Sequence, residues 1–375
     1  MPGLRPDVDP DGLLEYSVVY TDRSLNHMSR RFQQAMREIS ATLKEVYGAH
    51  AAVVVPGSGS TGMEAVARQF AAGQRCLIVR NGWFSYRWSQ ILEMSGIAPE
   101  PVVLKARRSG PGATAPFAPA PIDEVVATIA ETRPALVFAP HVETSAGMML
   151  PDAYLRALAD AVHAAGGMLV LDCIASGAAW VDMRALGVDV LVSAPQKGWS
   201  STPCAGLVML SERARDRIDA TTSSSFSLDL KKWLQIMQAY EAGGHAYHAT
   251  LPTDGLVRLR DAMDELRAFG FERARDAQAQ IGRRVRALLA ERGAASVAAP
   301  GFEAPGVVVA YTDRADWHNA SAFAAQGLQI AAGVPLACDE GPDFRTFRIG
   351  LFGIDKWMDV ERTVRTLGAA LDAIG

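Results

Sequence analysis

Lys197 stands in "SAPQKGWSS" with no other charge between Asp189 and Glu212. A bare ammonium among small, apolar and hydroxyl side chains is costly unless something uses it. Desolvation lowers a lysine's pKa toward the range where the neutral amine is nucleophilic, and an aldehyde would capture that amine as a Schiff base. Earlier in the chain "GMLVLDCIASG" closes an apolar run on Asp172, a carboxylate that could hold a cation. A third stretch, "VPGSGSTGMEAV" at residues 55 to 66, sets Gly57, Gly59 and Gly62 between an apolar run and a helical pattern. Such a turn offers backbone amides and a helix amino terminus to a phosphate. Each stretch has an ordinary alternative when read alone: a lysine snorkelling to solvent, an aspartate capping a turn, a tight turn without a ligand. Gly57, Gly59 and Gly62 also satisfy the dinucleotide-binding spacing, and Arg80 at the end of the next apolar run would meet the 2′-phosphate of NADP, so a dehydrogenase is one alternative.

Positioning these groups falls to short apolar runs separated by crossover-length helical segments. Seven such runs occur: "AAVVVPG", "RCLIVRNG", "EPVVLKA", "PALVFAP", "GMLVLD", "DVLVS" and "AGLVMLS". Being apolar at both parities, they read as strands buried on both faces of a mostly parallel sheet in an α/β domain. Open sheets of this kind bind ligands at the carboxyl ends of their strands. Asp172 ends one run and Lys197 follows the next, so both face one cleft. "PDAYLRALADAVHAAGG" reads as a helix with Pro151 and Asp152 at its start and Gly166 and Gly167 at its stop. Residues 107 to 121, "RRSGPGATAPFAPAP", read as a surface loop. After about residue 255 long charged helices take over, and strand and helix then alternate again in a smaller α+β region. The expected organisation is an arm at 1–20, a large domain at 21–275 and a small carboxyl-terminal domain at 276–375.

Composition narrows the partners. With 375 residues, 49% hydrophobic and 21% charged, the chain buries a sizeable core. A net charge of −4 and the lack of any Lys/Arg block argue against nucleic acid. Cys76, Cys173, Cys204 and Cys338 lack metal or disulfide spacing, which fits a reducing compartment and no metal. The beginning, "MPGLRPDVDPDGLLEY", has no signal pattern, and no apolar run approaches the roughly 18 residues of a membrane span. A cytoplasmic enzyme of small molecules is the expectation. A phosphate cradle, a lysine for an aldehyde and an acid for a ring nitrogen together suit one cofactor, pyridoxal phosphate.

The run "LDCIASGAAWVDMRALGVDVLVSAPQKGWSSTPCAGLVMLSERA", with "PGSGSTGMEAV", "RNGWFSYRWSQI", "HVETSAGMMLP" and "FRIGLFG", resembles the class V aminotransferases of pyridoxal-phosphate fold type I. Within that family the similarity is to the alanine/serine–glyoxylate (or pyruvate) and 2-aminoethylphosphonate aminotransferases. It implies a seven-stranded large domain, a smaller α+β domain and a homodimer with shared sites. It implies transfer of an amino group from a small amino acid to a 2-oxo acid. Lys197 would tether the cofactor and Asp172 would hold its ring nitrogen. Ser58, Gly59, Ser60, Thr61 and Gln196 would surround the phosphate, joined by Tyr247 and Thr250 from the neighbouring subunit. Phe84 would stack on the ring, with Trp83 its neighbour in register, Ile174 would cover the opposite face, and Thr144 would bond near the ring oxygen. Arg348, rather than nearby Arg345, would grip the substrate carboxylate.

The family's usual amino-terminal Pro-Gly-Pro turn is replaced here by "YSVVYTDRSLNHMSRRF". There Arg23, Asn26 and His27 would add contacts for a second anionic group, or Ser24 or Asn26 would simply cap a helix. Cys338 in "GVPLACDEGPDF" opens a second alternative, a lyase related to cysteine desulfurases. A non-catalytic regulator is disfavoured by the lack of a DNA-binding appendage.

Overall fold

The structure is a computed structural model and describes residues 9–375. The first eight residues of the expected arm, and of the stretch read for a signal, lie outside the described residues. The seven apolar runs form seven strands: β1 (Ala51–Pro56), β2 (Cys76–Arg80), β3 (Val102–Lys105), β4 (Leu136–Pro140), β5 (Met168–Asp172), β6 (Val190–Ser193) and β7 (Ala205–Leu210). They build one sheet in the order β1-β7-β6-β5-β4-β2-β3. Only β7 runs against the others, pairing antiparallel with β1 and β6. Every residue of β2, β4, β5, β6 and β7 is buried, which is why these strands carry no polar alternation. Pro140 and Val192 lie opposite Asp172 in register, so the loops after β4, β5 and β6 leave the sheet at one level.

Helix Gly59–Phe70 follows β1 and packs against the sheet through glycine. A Cβ on Gly206 of β7 would stand 2.7 Å from the Gly62 Cα, and one on Gly62 would stand 3.2 Å from the Gly206 Cα. Two backbones meet there without side chains between them. Gly206→Ala is expected to cost about 1–3 kcal/mol by overpacking, read as a lower denaturant midpoint at unchanged slope. An unchanged midpoint would mean that the helix lifts freely.

The segment at 107–121 is more ordered than its composition suggests. Arg107–Arg108 pairs antiparallel with Phe117–Ala118, and Phe117 is buried edge-on to Phe344. Two-residue strands are too short to leave a periodic signal.

Beyond the sheet, helix Thr253–Phe269 stops at Gly270, whose φ of +101° starts helix Phe271–Glu291. The boundary expected after residue 275 falls inside the second helix rather than in a linker. The smaller region holds β8 (Val307–Tyr311), β9 (Ala331–Ala332) and β10 (Thr346–Gly350), with β10 antiparallel to both neighbours. Among the described residues no helix is long and apolar enough to cross a membrane.

Candidate active site

Asp172 ends β5 as a buried carboxyl. Its Oδ1 accepts the Ile174 N–H at 2.9 Å. Burial pushes its pKa up to about 7, against the pull of the Ile174 N–H and the positive charges of Lys197 and Arg87. A carboxyl so placed takes up charge when a cation arrives beside it, which suits a protonated ring nitrogen.

Lys197 lies in the turn after β6, where the Ser200 N–H donates to the Lys197 carbonyl at 3.1 Å. The turn is pressed onto the loop that follows Asp172: a Cβ on Gly198 would meet the Gly177 carbonyl oxygen at 2.3 Å. Burial lowers the pKa of the Lys197 amine, Arg348 and Arg87 lower it further, and Asp172 opposes them. Nζ sits 5.2 Å from the centroid of the Phe352 ring. The lysine that stands alone in its stretch of sequence is thus an amine whose charged form is disfavoured, which favours nucleophilic use.

The glycine-rich turn caps helix Gly59–Phe70 through a reciprocal pair. The Thr61 N–H donates to Ser58 Oγ at 3.4 Å and the Ser58 N–H donates to Thr61 Oγ1 at 3.0 Å. Gly57 has φ +125°, and a Cβ on it would meet Thr61 Oγ1 at 2.5 Å. A Cβ on Gly59 would meet Ile174 Cδ1 at 2.6 Å, so the turn and the residue expected over one ring face are in contact. Ser60 Oγ accepts from Arg87 Nη1 at 2.9 Å. Hydroxyls, close backbone and a helix amino terminus fit a phosphate, and with the buried acid and the depressed amine the residues fit pyridoxal phosphate.

Phe84 opens helix Trp83–Ser95. Its ring lies 4.8 Å from the Arg87 guanidinium and 5.6 Å from that of Arg348, whereas Trp83 pairs with Tyr86 at 5.6 Å. Of the two aromatics, Phe84 is the one whose ring lies beside both Arg87 and Arg348. The helix start is held by Glu143, fully buried, whose oxygens accept from the Phe84 and Ser85 N–H groups, the Ser85 hydroxyl, and the N–H and hydroxyl of Ser145. One carboxylate therefore fixes Phe84 and the loop carrying buried Thr144 relative to each other.

Arg348 lies on β10 opposite Val309 and Ala331. It is half-buried, with Nε donating to the Ala332 carbonyl at 2.8 Å, and burial lowers its pKa while Glu143 raises it. Arg345, just before the strand, is exposed, whereas the Arg348 guanidinium lies beside the Phe84 ring. Gln196 is exposed beside Lys197. Tyr247 and Thr250 are exposed and bonded to each other at 3.1 Å, with the Tyr247 ring 5.5 Å from that of His27. Within one chain Tyr247 contacts this amino-terminal segment and Thr250 contacts Tyr247.

Four expectations about other residues change. The first helix starts at Arg30 and is capped by Ser29, which accepts the Phe32 N–H, not by Ser24 or Asn26. Asn26 is spent internally on Glu15, Ser17 and the Met28 N–H, so it offers nothing to an anionic substrate. His27 is buried with Nδ1 unpartnered, and burial and His245 lower its pKa, which disfavours the cationic ring an anionic substrate group would need, while Glu15 opposes the shift. The dinucleotide reading fails on topology: β7, β6, β5 and β4 separate β1 from β2, so Arg80 cannot reach a ligand on the Gly57–Gly62 turn as an adjacent strand end would. Arg80 instead donates to the Ala337 carbonyl and Ser89 Oγ over the Tyr86 ring. Cys338 is buried, donates to the Arg80 carbonyl at 3.4 Å, and burial pushes its thiol up to about 12, the opposite of a nucleophilic cysteine.

Arg87, Glu143 and Phe352 join the site without having been singled out in the sequence. Arg87 and Glu143 lie inside the quoted stretches "RNGWFSYRWSQI" and "HVETSAGMMLP", so proximity to Phe84 and Thr144 was the available signal.

The model of the family described as "Aminotransferase class-V" matches residues 13–340. An alanine–glyoxylate aminotransferase of Oryctolagus cuniculus is 26% identical over 358 residues, covering 92% of this chain and 86% of the rabbit protein. A 2-aminoethylphosphonate–pyruvate transaminase of Paraburkholderia xenovorans is 29% identical over 341 residues, covering 89% and 86%. Among solved structures, an alanine–glyoxylate aminotransferase from Nostoc superposes with a TM-score of 0.78 at 20% identity, covering 93% of this chain and 88% of that one. With a family model spanning most of its length and an acid–lysine pair at the ends of adjacent strands, the chain belongs to the class V aminotransferases.

Proposed function

We propose that the protein is a pyridoxal-phosphate-dependent aminotransferase that passes an amino group from a small amino acid, such as alanine, serine or an aminophosphonate, to glyoxylate or pyruvate in two half-reactions. The observation that carries this reading is the pairing of Asp172, its pKa raised, with Lys197, its pKa lowered, at one edge of the sheet. When bound, pyridoxal phosphate supplies an aldehyde that captures amines and a ring that accepts the electrons released at Cα. Lys197 Nζ, whose ammonium form is disfavoured by burial, would take the Cα proton and deliver it to the former aldehyde carbon of the cofactor, a general-base step that typically contributes about 10²–10⁴ in rate. Asp172 holds positive charge at the ring nitrogen. Arg348, its Nε fixed on Ala332, presents its terminal nitrogens to the substrate carboxylate. Ser58, Gly59, Ser60, Thr61 and Gln196 hold the phosphate, with Tyr247 and Thr250 reaching it from a second copy of the chain. Phe84, Ile174 and Thr144 fix the ring.

The test follows the visible absorbance of cofactor-loaded protein while amino acids are added singly, with release of the matching 2-oxo acid assayed in parallel. A spectral change with one molar equivalent of oxo acid, reversed by glyoxylate or pyruvate, is expected. Turnover without dependence on an oxo acid would overturn the reading. In the same assay Arg348→Lys is expected to raise KM for donor and acceptor together by about 10- to 100-fold, since a bidentate charged contact is worth about 1.5–3 kcal/mol. A change in one KM alone would place the carboxylate elsewhere.

A further inference from the structure

The proposed phosphate ligands share a deficiency: Ser58, Gly59, Ser60, Thr61, Gln196, Tyr247 and Thr250 are all uncharged. A phosphate monoester carries about −1.5 to −2 at neutral pH, and a helix amino terminus contributes only about half a positive charge. The first turn of helix Gly59–Phe70 is Gly-Ser-Thr-Gly, with no basic side chain. Arg87 is the guanidinium in contact with this cradle, donating from Nη1 to Ser60 Oγ at 2.9 Å while its carbon lies 4.8 Å from the Phe84 ring. Accepting from a cation polarises the Ser60 hydroxyl and leaves its own proton to donate elsewhere.

We propose, resting on the cofactor reading above, that Arg87 supplies the positive charge of the phosphate subsite, acting through Ser60 Oγ and held in place by stacking on Phe84. The same position explains why its charge is felt at Lys197 and at Asp172 in the cofactor-free chain. A phosphate bound at Ser60 would neutralise that field. Arg348, the other guanidinium beside Phe84, stays available for the substrate because its Nε is tied to β9 through Ala332. The two arginines thus divide the anions of the site: Arg87 for the cofactor's phosphate, Arg348 for the substrate's carboxylate.

The experiment compares binding of pyridoxal phosphate and of pyridoxal, its analogue without phosphate, to the apoprotein by quenching of intrinsic fluorescence, using wild type, Arg87→Gln, Arg87→Lys and Ser60→Ala. Arg87→Gln is expected to weaken pyridoxal phosphate about 10- to 100-fold and pyridoxal less than about twofold. Arg87→Lys is expected to recover most of the loss, and Ser60→Ala to lose affinity for the phosphorylated form only. Inorganic phosphate should compete with pyridoxal phosphate on wild type at concentrations several-fold lower than on Arg87→Lys, a comparison that stands even if Arg87→Gln does not fold. Equal weakening of both ligands would make Arg87 a support of Phe84 and overturn the proposal. Unchanged binding with a raised KM for diacidic donors would assign the guanidinium to substrate and overturn it as well. If wild type binds neither ligand at Lys197, the cofactor reading itself fails; if wild type binds both and the variants do not discriminate, only the role of Arg87 fails.

Discussion

Lys197→Ala is expected to lower transamination turnover by at least about 10³-fold, because in the proposed mechanism one side chain provides both the covalent tether and the base that moves the Cα proton. The loss falls on kcat, since Arg348 and the phosphate cradle are separate from it and continue to bind substrate and cofactor. Lys197→Arg does not rescue. A guanidinium keeps the charge but cannot deprotonate to act as base. The check is the initial rate of 2-oxo acid formation by protein loaded with excess cofactor, together with its spectrum. A variant that kept a tenth of wild-type turnover would show that the proton moves through some other group.

Asp172→Asn has two effects of opposite sign. Turnover falls by about 10²–10³, the usual consequence of removing one preorganised electrostatic partner, because a neutral amide cannot hold positive charge on the ring nitrogen. Cofactor-free protein, by contrast, becomes more stable at neutral pH. The folded pKa of Asp172 is raised to about 7 from 3.8, so between those values the folded state holds a proton that the unfolded state has released. Stability from this group is present below about pH 4 and is lost as pH rises through about 7, at about 1.4 kcal/mol per pH unit. The variant lacks that slope. Its advantage over wild type therefore opens between pH 4 and 7 and vanishes below pH 4, which chemical denaturation of the two apoproteins at several pH values measures. Parallel stability curves would mean that Asp172 already has a cationic partner in the free protein.

Both predictions rest on residues whose importance is legible in the sequence, and the reason is physical. A strand buried on both faces cannot alternate polar and apolar side chains, so the five fully buried strands and their carboxyl ends stand out, and with them Asp172 and Lys197. The order of strands across the sheet is a different matter. Nothing in "VPGSGSTGMEAV" tells that β1 neighbours β7 rather than β2, and the dinucleotide alternative survives until that order is seen.

Residues that act through others were also out of reach. Glu143 organises Phe84, Ser85 and Ser145 from 58 positions beyond Ser85, a distance no local pattern spans. Arg87 meets Ser60 across 27 positions, and in the sequence it is one arginine of an amphipathic helix. Burial was similarly hidden at Cys338. A cysteine in a Gly/Pro/Asp-rich loop leaves a lyase alternative open, yet its thiol is buried and donates to the Arg80 carbonyl at the end of β2. In each case the missing information was which distant segments meet, not what the side chain can do.

The most direct measurement is chemical: borohydride reduction of protein incubated with pyridoxal phosphate, followed by digestion and mass mapping. The account predicts a single stable pyridoxyl adduct, on the peptide containing Lys197, formed in wild type and lost in Lys197→Ala. A stable adduct on another lysine, or none in protein that has taken up the cofactor, would contradict it.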